Sequence, residues 1–206
     1  IDYLDGRGVK LVVIACNTLT VLGVDTLKGS HAFEIVGMSK GAQLVLAASS
    51  RKKIGVFATE FTINSGAHKA AILAADDGAD VYPQACPKFV PLIEGEQFDG
   101  AEVRAAVAEY AAPLKAAGID TLILSCTHYP FIQKEIESEF GSEVTVIDPA
   151  DATAQDTKTV LAAEGLLRSE GAGTLEVCFT ADVERGARIA GRVLPQGKCL
   201  FKEIKL

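Results

Sequence analysis

Lys10-Leu11-Val12-Val13-Ile14-Ala15-Cys16-Asn17-Thr18 and its near-copy, Asp120-Thr121-Leu122-Ile123-Leu124-Ser125-Cys126-Thr127-His128, decide the fold. Each is a short apolar run that ends in a cysteine and a polar pair, with a helical pattern behind it. A run without a hydrophilic face predicts a strand covered on both sides, as in parallel sheets. Working outward, strand signals recur over residues 34–37, 53–58, 79–84, 143–148 and 175–179, alongside those over 10–15 and 121–125. Helical patterns lie between them over 19–27, 42–48, 62–75, 101–117, 130–140, 152–167 and 183–192, with a short helix or turn over 89–95. Strands alternating with helices predict an α/β fold whose mainly parallel sheets are flanked by helices. The repeated cysteine strand further predicts two similar lobes that each turn one thiol toward a shared cleft.

Composition narrows the function classes. The 206 residues hold 20 Lys plus Arg against 27 Asp plus Glu, a formal net charge of −7. An acidic surface repels phosphate, so neither nucleic acid nor an anionic membrane is an expected partner. Hydrophobic residues make up 49% of the chain, enough for a sizeable core. No apolar run nears the roughly 18 residues of a membrane span, and no basic region precedes an apolar one at the start. A soluble, cytoplasmic protein is expected. The first residue is Ile1 rather than Met, so the sequence is expected to be cut, processed or incomplete.

The five cysteines, Cys16, Cys86, Cys126, Cys178 and Cys199, form no CxxC pair. An odd number without a secretory signal predicts reduced thiols. With only His31, His68 and His128 available, no metal is expected. In open α/β sheets ligands bind beyond the carboxyl ends of strands, where helix N-termini present free N–H groups. Cys16 and Cys126 both fall there. Such a position favours thiolate and predicts pKa values nearer neutrality than the ordinary value of about 8.5. A thiol of that kind can give or take a proton. A lone cysteine reads most simply as a small buried hydrophobe, and that reading stands for Cys86, Cys178 and Cys199. Two copies in one arrangement turn the reading of Cys16 and Cys126 to function.

At Val13-Ile14-Ala15-Cys16-Asn17-Thr18 and Ser125-Cys126-Thr127-His128-Tyr129-Pro130 the chain resembles the cofactor-independent aspartate/glutamate racemase superfamily, and within it the glutamate racemases. Gly55-Val56-Phe57-Ala58-Thr59-Glu60 and Ala85-Cys86-Pro87 support the likeness, which runs from about residue 2 to about residue 167. The resemblance implies interconversion of L- and D-glutamate, as a supply for bacterial peptidoglycan, without pyridoxal phosphate or metal. One thiolate removes the α-proton while the opposite thiol delivers another, with Cys16 serving the D-enantiomer and Cys126 the L-enantiomer. By the same likeness Asn17, Thr18 and Thr127 bind the substrate's amino and carboxylate groups, and helix capping is the plainer role for all three. His128 resembles the histidine that assists the second thiol and favours glutamate over aspartate; the alternative is a structural histidine. Family sites also use the region of Glu94, where a solvated carboxylate is an equal reading. The resemblance implies a homodimer in many members. It also implies one lobe of residues 1–41 plus 150–206 carrying Cys16, and an inserted lobe, 42–149, carrying Cys126.

The sequence departs from the family in several places. The Asp-Ser-Gly loop and the Pro-Tyr-Gly segment that open a typical member do not occur, so about the first quarter of such a member is expected to be missing. Leu19, Ser125 and Lys40 stand where the family usually has a small residue, Gly and Pro. Other readings are an aspartate or hydantoin racemase or related isomerase, a thiol hydrolase using Cys126 and His128, and a truncated, non-catalytic binding module.

Overall fold

The computed structural model describes residues 1–27, 29–171, 173–195 and 199–206. In chain order the elements are α1 (Asp2–Asp5), β1 (Leu11–Ile14), α2 (Asn17–Leu27), β2 (Glu34–Gly37), α3 (Ala42–Ala48), β3 (Lys53–Ala58), α4 (Glu60–Asn64), α5 (Ala67–Ala75) and β4 (Asp80–Ala85). There follow α6 (Phe89–Glu94), α7 (Ala101–Ala117), β5 (Thr121–Ser125), a 3-10 turn (Tyr129–Ile132), α8 (Gln133–Phe140), β6 (Thr145–Ile147), α9 (Ala150–Ala163), β7 (Leu175–Phe179), α10 (Val183–Ala190) and β8 (Cys199–Glu203). Among the described residues all strand pairs are parallel. A four-stranded sheet runs β4-β3-β5-β6, and β1-β2 and β7-β8 form two smaller sheets.

The four-stranded sheet is the centre of the core, and the reason lies in its side chains. All five residues of β5 are buried. On one face Phe57, Leu122 and Leu124 meet Val107, Leu114 and Ile136 of α7 and α8. On the other, Ile54, Val56, Ala58 and Ile123 meet Val45 and Ile72 of α3 and α5. Strand periodicity splits each apolar run between two helical layers, which is why β3 and β5 carry no polar face. Each large apolar side chain buried this way stabilises the fold by about 1.5–3 kcal/mol.

The elements expected from sequence are present, with shifted ends. The helical stretch 62–75 is broken at Gly66, whose φ of 67° interrupts the helix between α4 and α5. The 130–140 pattern opens with the 3-10 turn, as Pro130 sits in its first positions. α2 starts two residues early, at Asn17, and kinks at Gly23. α9 ends at Ala163 rather than at 167. The short elements α1 and β8 were not expected, since four or five residues carry too little periodicity to read. Among the described residues no helix is long and apolar enough to cross a membrane.

Two chain segments lie side by side where the lobe boundaries are expected. The Ser39 N–H donates to Thr153 Oγ1 at 3.0 Å. Gly41 has φ 61°, and a Cβ there would come within 2.5 Å of Ile123 Cδ1 and 3.5 Å of Pro149 Cβ. Only glycine suits both the left-handed backbone and that close approach.

Candidate active site

The strand order places the site. From β3 the chain crosses to β4 on one side, then returns past β3 to β5 on the other. The carboxyl ends of β3 and β5 therefore bracket a switch point, where α/β sheets bind ligands. The register Ala58↔Ser125 sets the next residues, Thr59 and Cys126, at the same level.

Cys126 is 8% exposed. Burial dominates its ionisation and pushes the thiol up to about 11; the backbone N–H groups of His128 and Tyr129 pull it down, and the charge of Cys16 raises it further. The expectation of a thiol near neutrality is therefore corrected for Cys126. The N–H groups at the start of the turn do favour thiolate, but desolvation outweighs them.

Behind Cys126 stands a relay of two side chains. Its Sγ lies 4.0 Å from His128 Nδ1, and His128 Nε2 lies 2.7 Å from Glu94 Oε1. A carboxylate at Nε2 accepts the hydrogen there and leaves Nδ1 turned to the sulfur. Glu94, at the end of α6, thus has a definite partner, which the sequence did not disclose. Arg185 in α10 approaches its other oxygen at 4.0 Å.

Cys16 follows β1 and is half-buried. Asn17 begins α2, is 3% exposed, and its Nδ2 has no hydrogen-bond partner within the protein. Thr18 reaches across to α4: its Oγ1 lies 2.8 Å from Thr59 Oγ1 and 3.1 Å from Thr62 Oγ1, and those two are 3.0 Å apart. Thr59 also caps α4 by accepting from the Thr62 N–H. This hydroxyl triangle ties the Cys16 loop to the β3 end. Thr59 and Thr62 were not singled out as site residues from sequence; a threonine just past the carboxyl end of a buried strand was the available signal.

Thr127 directly follows Cys126 and is exposed. Cys86 is buried, its thiol pushed far up by burial, and its carbonyl accepts from the Tyr129 hydroxyl. Cys178 and Cys199 lie on β7 and β8. Among the described residues no group of three or more His, Cys, Asp or Glu is arranged to hold a metal ion.

Paired thiols at matching strand ends, one backed by histidine and carboxylate, suit proton transfer on two faces of one carbon. Residues 1–157 match the family described as Asp/Glu/Hydantoin racemase. The chain belongs to that family. The glutamate racemase of Lysinibacillus sphaericus strain C3-41 is 37% identical over 205 residues, covering 98% of this chain and 77% of the relative. That of Lactiplantibacillus plantarum is 42% identical over 161 residues, 78% of this chain and 59% of the relative. Among solved structures, glutamate racemase isoform RacE1 from Bacillus anthracis has a TM-score of 0.90 at 30% identity, over 100% of this chain and 77% of that one. Glutamate racemase from Thermus thermophilus, in complex with beta-chloro-D-alanine, has a TM-score of 0.79 at 31% identity, over 100% and 76%. The expected family and the expected α/β class with helix-flanked parallel sheets both hold.

Proposed function

We propose that this family member is a glutamate racemase that interconverts L- and D-glutamate by two-base proton transfer at the α-carbon, with Cys16 and Cys126 on opposite faces of the substrate. The observation that supports this reading is the contact of Thr18, two residues past Cys16, with Thr59, which the Ala58↔Ser125 register sets level with Cys126, so that both motif loops meet at one strand end. Inversion at a tetrahedral carbon needs a base on one side and an acid on the other. Cys126 takes the proton from L-glutamate and Cys16 supplies one to the other face; the reverse reaction exchanges the roles. No cofactor or metal enters the scheme, and the α-proton moves only between carbon and sulfur.

The environment of Cys126 sets the difficulty. A thiol held at about 11 resists ionisation at neutral pH. A substrate α-ammonium beside the sulfur favours the thiolate by direct attraction. His128, held at Nε2 by Glu94, offers Nδ1 as proton acceptor to the same sulfur. The unpaired amide of Asn17 is suited to a substrate carboxylate, with Thr18 and Thr127 completing the polar contacts. Discrimination by His128 favours glutamate over aspartate.

The lobes of this reading are residues 1–41 with 150–206, and 42–149, joined where segment 38–41 runs against 149–153. A hinge there would open the cleft to substrate. The physiological place of the activity is D-glutamate supply for peptidoglycan in the cytoplasm.

The test is exchange in deuterated water. Either enantiomer should yield product deuterated at the α-carbon, and Cys16→Ser and Cys126→Ser should each abolish racemisation, with chelators having no effect. Racemisation that persists in both variants removes the two-thiol mechanism. Catalysis lost with Cys126 alone, without α-exchange, points instead to a hydrolase.

A further inference from the structure

Helix α10 carries Arg185 and Arg188, with Arg192 just beyond its end; the spacings of three and four residues place them on one face. They meet an alternating set on the segment that leaves α6. Arg188 binds Glu96 through Nε at 3.1 and 3.2 Å and through its terminal nitrogen at 2.6 Å. The Arg192 guanidinium carbon stands 3.9 Å above the Phe98 ring. Arg185 approaches Glu94 Oε2 at 4.0 Å, and its Nε lies 3.2 Å from Asp182 Oδ2. Thus three cationic side chains engage Glu94, Glu96 and Phe98, two residues apart each time.

The clasp is built rather than incidental. Asp182 caps α10 by accepting from the Arg185 N–H, and the same carboxylate holds the Arg185 side chain. Gly186 lets the helix sit against β7, since a Cβ there would fall 2.4 Å from the Phe179 ring. The α10 face is therefore held at a fixed distance from its own sheet while its arginines reach the segment after α6. The bidentate Arg188–Glu96 pair supplies the geometric register.

Only one tooth of this comb touches the reaction machinery. Glu94 is shared: Oε1 accepts from His128 and Oε2 faces Arg185. We propose that Arg185 is a positioning residue for the Cys126 half of the reaction, acting through Glu94 on His128. Drawing Oε2 toward α10 turns the carboxylate so that Oε1 meets Nε2, which fixes the imidazole with Nδ1 toward Cys126. Without Arg185 the Glu94 side chain, 43% exposed, is free to adopt other rotamers in water. The inference rests on the two-thiol reading of the site and extends it to a residue 91 positions from Glu94, outside the segment matched to the family.

A double-mutant cycle tests it. Arg185→Ala, Glu94→Ala and the double variant are compared with the unaltered chain, with kcat and KM in both directions and the isotope effect on α-deuterated L- and D-glutamate. Arg185→Ala is expected to lower kcat about tenfold with little change in KM, and Arg185→Lys to restore part of the loss. The isotope effect for L-glutamate, whose proton Cys126 removes, should rise while that for D-glutamate does not. In the Glu94→Ala background, removing Arg185 should cost nothing further. Unchanged kcat in Arg185→Ala, or losses that multiply in the double variant, overturns the proposal. A fall in melting temperature with no isotope-effect change reassigns Arg185 to structure and overturns it as well. Cys126→Ser run alongside separates the two ideas: racemisation retained there refutes the two-thiol reading, whatever the cycle shows.

Discussion

Glu94 Oε1 accepts a hydrogen bond from His128 Nε2 over 2.7 Å, although 34 residues separate them. The bond fixes which imidazole nitrogen faces Cys126, since the nitrogen that donates to Glu94 cannot also face the sulfur. A neutral amide at position 94 can still accept, but a bond to a charged acceptor, worth about 1.5–3 kcal/mol, becomes a neutral one worth about 1 kcal/mol. Glu94→Gln is therefore expected to lower kcat roughly tenfold, with Glu94→Asp intermediate. Steady-state kinetics in both directions read this directly, and a kcat unchanged in Glu94→Gln would remove Glu94 from the machinery.

The ionisation of Cys126 can be followed by nuclear magnetic resonance of isotope-labelled cysteine in the free protein. The thiol should titrate with a midpoint near 11. The midpoint should fall in Cys16→Ser, because the charge of Cys16 is one of the influences that raise it. Between the ordinary value of 9.0 and about 11 the folded chain keeps a proton that the unfolded chain has lost. Stability from this group is thus complete below 9.0 and is lost as pH rises through that window. A midpoint near neutrality would contradict the dominance of burial.

Thr59 serves two structures at once, the cap of α4 and the hydroxyl triangle with Thr18 and Thr62. Thr59→Ala should cost about 1 kcal/mol as a lost cap and should also raise KM, because Thr18 loses a partner that orients the Cys16 loop. Thr59→Ser keeps the hydroxyl and should recover most of both. Urea unfolding and kinetics on the two variants separate the effects; a stability loss with no change in KM would leave the triangle purely structural.

How much of this was legible in the sequence follows from the range of each signal. The strands 34–37, 53–58, 121–125 and 175–179 were readable to the residue, because short apolar runs bounded by turns carry their own limits. Ends set by a single backbone choice were not, as at Gly66, where a positive φ splits one helical pattern into two. Cys16, Asn17, Thr18, Cys126 and His128 stood out through a repeated local motif. Glu94 stood out only as part of a region, without a role, and Thr59, Thr62 and Arg185 not at all, because each matters through a contact between elements distant in sequence. The same limit explains Cys126: a helix start is visible in sequence, but the burial that outweighs it comes from tertiary packing.

Thr121, the first residue of the inner strand β5, is fully buried, and its Oγ1 has no hydrogen-bond partner. A buried hydroxyl without a partner costs about 1–3 kcal/mol. Thr121→Val replaces it with a methyl of similar shape on a strand that favours β-branched residues. The variant should be more stable by about 1 kcal/mol and unchanged in racemisation, since residue 121 lies at the opposite end of β5 from Cys126. Chemical denaturation checks the first and kinetics the second; a destabilised variant would mean that the hydroxyl has a bonding role after all.

His68, near the start of α5, is 3% exposed, and neither ring nitrogen has a hydrogen-bond partner. Burial, and then the positive charge of Lys40, lower its pKa from 6.5 to about 4. The folded value lies below the unfolded one, so between those limits the unfolded chain binds the extra proton. Stability is full above 6.5 and falls as pH drops toward 4, by about 3 kcal/mol from this group alone. Carboxylates titrate across part of the same range, so the informative quantity is a difference. The stability of the unaltered chain minus that of His68→Leu should shrink steadily as pH falls from 6.5, and His68→Leu should become the more acid-tolerant protein. Parallel stability curves for the two proteins across that range would show that the ring is charged, or free to reach water, in the folded state.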